Sequence, residues 1–268
     1  MVLHLDETFA SRTLNSASTQ ASNRTFLGTT TMQNITRRSF VSTATAGIAA
    51  LGAFGSISRE AEAQLVWKAE DWKLAEFEKL VKDPARIKQM FDVIQIGDGK
   101  FLNNVKNSLN GLRFGFNIPE HQIKIVAALH GPANMLNYDD FIWEKYEIGA
   151  WLKVTDPVTD KPAIRNPFYK TTLNTKNDAP SSVNDKNSLY QDTSIETLQS
   201  RGVQFLSCHT ALEEQARVLT KRNNWSKDPE EIVHEILAHT VPGVLVVASM
   251  GSAIALLQAE GKYTYITL

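Results

Sequence analysis

From residue 90 onward the apolar positions switch repeatedly between two spacings, and the switching predicts strands alternating with helices. Residues 90–96 form a short apolar run closed by Gly97-Asp98-Gly99, which reads as a strand running into a turn. Leu102, Val105, Leu109 and Leu112 then recur at helical spacing within residues 101–116. Residues 123–129 are almost continuously apolar, as expected of a strand covered on both faces, and stop at His130-Gly131-Pro132. A helix over residues 136–148 follows, carrying Phe141 and Trp143. The rhythm resumes with a helix at 195–200, a strand at 203–208 and a helix at 211–222. A second helix at 229–238 is capped by Asp228 with Pro229 at its first position. A strand at 244–248, a helix at 252–260 and a strand at 263–268 complete the chain. Such alternation predicts a three-layer α/β/α domain around a mainly parallel sheet of about five strands.

Two segments stand outside that pattern. Residues 150–193 are rich in Asn, Asp, Thr, Lys and Pro, with Trp151, Phe168, Tyr169 and Tyr190 interspersed. Their length suits a lid, a binding loop or an assembly arm, or a plain insertion. The other is the N-terminal stretch. Residues 1–31 are dominated by Ser and Thr and predict a disordered extension. Arg37-Arg38 then precede a weakly apolar run of 18 residues, 40–57, which closes on Ala61-Glu62-Ala63. Paired arginines, a mild apolar core and an A-x-A end are the order of parts in a twin-arginine export signal, here residues 32–63. Translation from Met32 instead of Met1 fits the same signal. Cleavage predicts a periplasmic or otherwise extracytoplasmic protein with no stable membrane span. An uncleaved run would instead anchor it, although its Gly, Ala, Ser and Thr content suits a permanent span poorly. Between signal and domain, residues 64–89 hold a short helix with Trp72, Phe77, Leu80 and Val81 facing inward, stopped by Pro84.

Composition adds little beyond exclusions. A formal net charge of −1 gives no electrostatic reason to expect nucleic acid as a partner. The single cysteine excludes an intramolecular disulfide. No H-E-x-x-H, C-x-x-C, Walker loop or G-x-G-x-x-G occurs, and His234 and His239 are spaced badly for one helical face. No metal and no cofactor is therefore predicted.

The chemistry is expected where an open parallel sheet binds ligands, beyond the carboxyl ends of its strands. Those ends carry Asp98 and Gly99, His130 and Gly131, Cys208 and His209, and Ser249, Gly251 and Ser252. Cys208 ends a strand just before Thr210-Ala211-Leu212-Glu213, which has the form of a capping box with Thr210 as the cap. A thiol at a helix N-terminus sits in positive potential that favours the thiolate, and His209 or His130 could serve it as base or cation. A buried core thiol is the alternative. His130 reads equally as a residue satisfied by its own turn, and Asp98 as a turn residue before a ligand contact. Gly251 and Ser252 open the last helix, whose N–H groups suit a small anion.

These motifs resemble those of the DsrE/DsrF-like family. The likeness spans roughly residues 90–268 and rests on three stretches: 125–132, 201–208 with its Arg-Gly-Val-x-Phe strand ending in Cys, and 241–263 with its Leu-Gln-x-x-Gly-x-x-Tyr ending. It implies a small three-layer fold that assembles into trimers or hexamers. In some members a cysteine carries sulfur as a persulfide, a role that falls here on Cys208, with a small sulfur donor or anionic molecule as ligand. A non-enzymatic ligand-binding or assembly module of the cell envelope is the other reading.

Overall fold

The computed structural model describes residues 69–170, 182–186, 191–223 and 227–268. The chain divides into a unit of residues 1–60 and one of residues 61–268, and all described residues lie in the second. The signal expected at 32–63, the extension before it, and Tyr190 lie outside the described residues.

Five strands make one wholly parallel sheet: β1 (Ile87–Val93), β2 (Ile123–Leu129), β3 (Gln204–Cys208), β4 (Leu245–Val247) and β5 (Thr264–Thr267), in spatial order β4-β3-β2-β1-β5. Helices flank it, which is the three-layer architecture the alternation predicts. They are α1 (Leu74–Val81), α2 (Lys100–Asn110), α3 (Asp140–Lys145), α4 (Ile148–Leu152), α5 (Ile195–Ser200), α6 (His209–Arg222), α7 (Pro229–Ala238) and α8 (Met250–Ala259). Alternation along each strand divides the core in two. Phe91, Val93, Ile125, Ala127, Leu129 and Phe205 face the larger cluster, with Trp143 and Leu212. Met90, Val126, Ala128, Leu206 and Cys208 face the smaller one beneath α1 and α8.

Three boundaries differ from expectation for identifiable reasons. β1 starts and ends three residues early: Gln89 is held at the sheet by Ser108, while Ile94 and Gln95 stand exposed past the ladder. The helix read over 101–116 is α-helical only through Asn110 and continues as a π-helical turn, Gly111–Gly115. The single helix read over 136–148 is instead a 3-10 helix, Gly131–Asn137, followed by α3 and α4. That 3-10 helix packs on the ends of β2 and β3 and buries Asn134 and Asn137 completely, so its bonding is dictated by the strands and not by a local period.

The described part of the 150–193 segment is fastened to the domain. Asn166 Nδ2 donates to the carbonyls of Leu136 and Tyr138 at 2.8 and 2.9 Å, and Trp151, Phe168 and Tyr169 pack on the core. At Gly149 a Cβ would stand 2.1 Å from the carbonyl oxygen of Ala163, so only glycine allows α4 to meet this segment. Gly149→Ala should therefore destabilise the protein by about 1–3 kcal/mol in denaturant titration, the cost of overpacking a site whose neighbour is backbone.

Candidate functional site

The carboxyl edge of the sheet is where the expected residues gather, but they divide into separate environments. On the face of the larger core cluster the edge is plugged. Asn134 Oδ1 accepts from Cys208 N at 2.8 Å and from Ser207 Oγ at 3.0 Å, and its Nδ2 donates to Tyr138 Oη at 2.9 Å. Gln215 Nε2 donates to the Gly131 carbonyl at 2.7 Å. Protein polar groups thus fill the space where a doubly wound sheet would receive a ligand. Gly131 (φ +53°) acts there as a turn whose carbonyl is already engaged.

Cys208 corrects the expectation of an exposed, primed thiol. It is 5% exposed and lies among Phe77, Val247, Met250 and Ala253. Its Sγ, not Thr210, caps α6: it accepts from Ala211 N at 3.5 Å and from Met250 N at 3.4 Å, so the first turns of α6 and α8 converge on it. Thr210 instead donates its hydroxyl to the Ala248 carbonyl at 3.0 Å. Burial pushes the Cys208 thiol above its ordinary range, outweighing the downward pull of the Ala211, Met250 and Thr210 amides. His209 is also interior and serves neither thiol nor cleft. Its Nε2 pairs with Asp71 Oδ2 at 2.8 Å, Trp72 packs edge-on at 5.4 Å, and Nδ1 stands 3.4 Å from Glu213 Oε1 without hydrogen-bond geometry. This hydrogen bond ties the turn before α1 to the start of α6.

Asp98 is exposed at φ 54° in the 3-10 turn Gly97–Gly99. Gly99 is buried beneath the Phe168 ring, whose carbon lies 2.5 Å from where a Cβ would stand, so a ligand contact at Gly99 is blocked. Ser249 and Ser252 line an apolar groove of about 180 Å³ between α1 and α8, with Trp72, Leu74 and Leu256. Gly251 is exposed in the first turn of α8, outside that lining.

His130 has the partners that the turn reading did not foresee. Its Nε2 lies 2.6 Å from Asp92 Oδ1, and Tyr265 Oη donates to Asp92 Oδ2 at 2.5 Å. Neither Asp92 nor Tyr265 was singled out from the sequence, yet a lone carboxylate inside an apolar strand run is itself a signal, because buried charges need partners. The three come from neighbouring strands, β2, β1 and β5, on the face of the smaller core cluster. Burial pushes Asp92 upward, but the His130 and Tyr265 bonds and the His130 charge together outweigh it and hold the carboxyl below its ordinary range. The same carboxylate, with burial, raises the Tyr265 hydroxyl. His130 keeps 29% of its side chain exposed and Tyr265 is 42% exposed, so the constellation opens to solvent.

The ionised Asp92 can only accept, so Nε2 of His130 must carry the proton at that contact. The opposite nitrogen, Nδ1, has no partner among the described residues, so it can accept from a ligand when the ring is neutral and donate to one when the ring is protonated. One register step past the Leu129–Ser207 pair, His130 lies beside Cys208, on the same face by strand alternation.

Among the described residues no group of three or more His, Cys, Asp or Glu side chains is placed to hold a metal, and no helix is long and apolar enough to cross a membrane. No family model, curated protein or solved structure matches the chain.

The lowered folded-state value of Asp92 has a stability consequence. Its contribution is complete above the unfolded value of about 3.9 and is lost as pH falls through the lower folded value. Asp92→Asn should consequently flatten the fall of the melting temperature below about pH 4 relative to the parent chain. Parallel acid limbs in the two proteins would contradict that assignment.

Proposed function

We propose that this protein is an exported domain of the DsrE/DsrF-like type that binds a small sulfur-containing or anionic molecule at the carboxyl edge of its sheet, with His130 as the contacting residue. The Asp92–His130–Tyr265 constellation carries this reading. A carboxylate that orients an imidazole from behind leaves the opposite ring nitrogen available to a ligand, as base when neutral and as cation when protonated. Tyr265 supplies an aromatic wall beside it. The five-strand parallel sheet supports the family reading at the level of architecture alone, and export rests on the arginine pair and the A-x-A end. Assembly into trimers or hexamers comes with the resemblance.

Sulfur transfer through Cys208 is a second reading, favoured by the two amides that meet its Sγ, since these would also stabilise a thiolate. The thiolate would attack the terminal sulfur of a polysulfide, forming one S–S bond as the donor's S–S bond breaks and a shorter polysulfide leaves. It requires α1 and the start of α8 to move from the thiol first.

Calorimetric titration with thiosulfate and with hydrosulfide separates the two. Binding should weaken at least roughly tenfold in His130→Ala, as loss of a charge-assisted bond entails, and stay unchanged in Cys208→Ser. Equal affinity in His130→Ala overturns the first reading. Mass spectrometry after polysulfide treatment tests the second: it requires one added sulfur on Cys208 without denaturant, and an unmodified native thiol excludes it.

A further inference from the structure

The opposite edge of the sheet gathers three cations, Lys106, Arg113 and Arg201, around a single described carboxylate, Glu120. The segment from α2 into its π-helical turn presents Lys106, Asn110 and Arg113 at helical spacing, and Arg201 meets them from the end of α5. Arg201 is 6% exposed and its guanidinium makes a single hydrogen bond among the described residues, Nη2 to Asn110 Oδ1 at 2.8 Å. Its Nε and Nη1 are buried with no hydrogen-bond partner among the described residues. A guanidinium carries five N–H donors, and burying them unmade forfeits their hydration without replacement, so such an arrangement calls for an occupant. Lys106 buries its stem, leaving the residue 5% exposed, while its ammonium reaches solvent and has neither hydrogen bond nor ion pair among the described residues.

The one nearby carboxylate is already engaged, since Glu120 Oε2 pairs with Arg113 Nη1 at 3.2 Å. Three cations therefore face one anion. Burial, and after it the charge of Arg201, lowers the proton affinity of Lys106; burial likewise lowers that of Arg201, where the pull of Glu120 opposes it and the Arg113 charge adds to it. Asn110 is held in place from the other side, its Nδ2 donating to Gln191 Oε1 at 2.8 Å, while Gln191 donates to the Asp185 carbonyl at 2.8 Å. The long segment is thereby linked to this cluster.

We infer that Arg201 and Lys106 form a binding site for a small oxyanion, a carboxylate or an inorganic phosphate or sulfate, whose oxygens take the guanidinium N–H groups left over from Asn110. A planar fork beside an ammonium is the donor set that two or three oxygens on one centre satisfy. The site stands apart from His130: α2 runs back from the carboxyl edge, and Arg201 lies just ahead of β3, at the amino edge.

Thermal unfolding of the full chain in potassium phosphate, sulfate or acetate, against potassium chloride at equal ionic strength, tests it. Phosphate or sulfate should raise the melting temperature saturably, and acetate doing so as strongly assigns the site to carboxylates. Lys106→Gln should fold and bind at least roughly tenfold more weakly, as loss of a charge-assisted contact to the anion implies. In the parent chain the Arg201 Nε–H resonance should move as the anion saturates. A rise equal to that in chloride, a rise undiminished in Lys106→Gln, or an Arg201 resonance indifferent to every anion overturns the proposal.

Discussion

One carboxylate organises the open edge of this protein. Asp92 sits in the buried half of β1 among Met90, Phe91 and Val93, and a charge there is tolerable only if its oxygens are occupied. They are occupied by an imidazole from β2 and a phenol from β5, which ties three adjacent strands at their ends. The same two bonds fix the ring of His130 and hold the exposed Tyr265 against the sheet. The order of this edge is thus set by a single buried charge.

The rest of that edge is closed by the protein itself. Asn134 substitutes for a ligand against the backbone of Cys208, and Gln215 for one against Gly131. Across the sheet, Phe77 and Met250 pack over the thiol while the Asp71–His209 pair anchors the segment that carries α1. A sulfur surrounded by apolar side chains is held protonated even with two helix starts aimed at it, because removing a charge from water outweighs two amide bonds. Position at a helix N-terminus is therefore not enough to make a cysteine reactive; solvent access decides.

Legibility followed the same physics. The run at β2, buried on both faces, and α5 and α7 could be read residue by residue from local pattern and caps. The 3-10 helix from Gly131 to Asn137 could not, since Asn134 and Asn137 are buried to satisfy strand ends some seventy residues away in sequence. The capping box at Thr210 had the right form but the wrong register: Cys208 already has the extended backbone of a cap, so α6 starts two residues earlier than the hydroxyl suggests. His130 was visible as a strand-end residue, whereas its partners lie 38 and 135 positions away and only the parallel register of β1 with β2 and β5 brings them together. Arg201, read as part of a family-like strand entry, gave no sign that its guanidinium would be buried.

What this edge can bind depends on the state of one imidazole. Nitrogen-15 NMR of His130 at neutral pH reports directly which ring nitrogen bears hydrogen. An Nε2–H tautomer coupled to Asp92, with a bare Nδ1 that shifts when ligand is added, is the predicted result. An Nδ1–H tautomer, or a ring averaging freely between the two, would mean that Asp92 does not orient it and that the edge has no prepared acceptor.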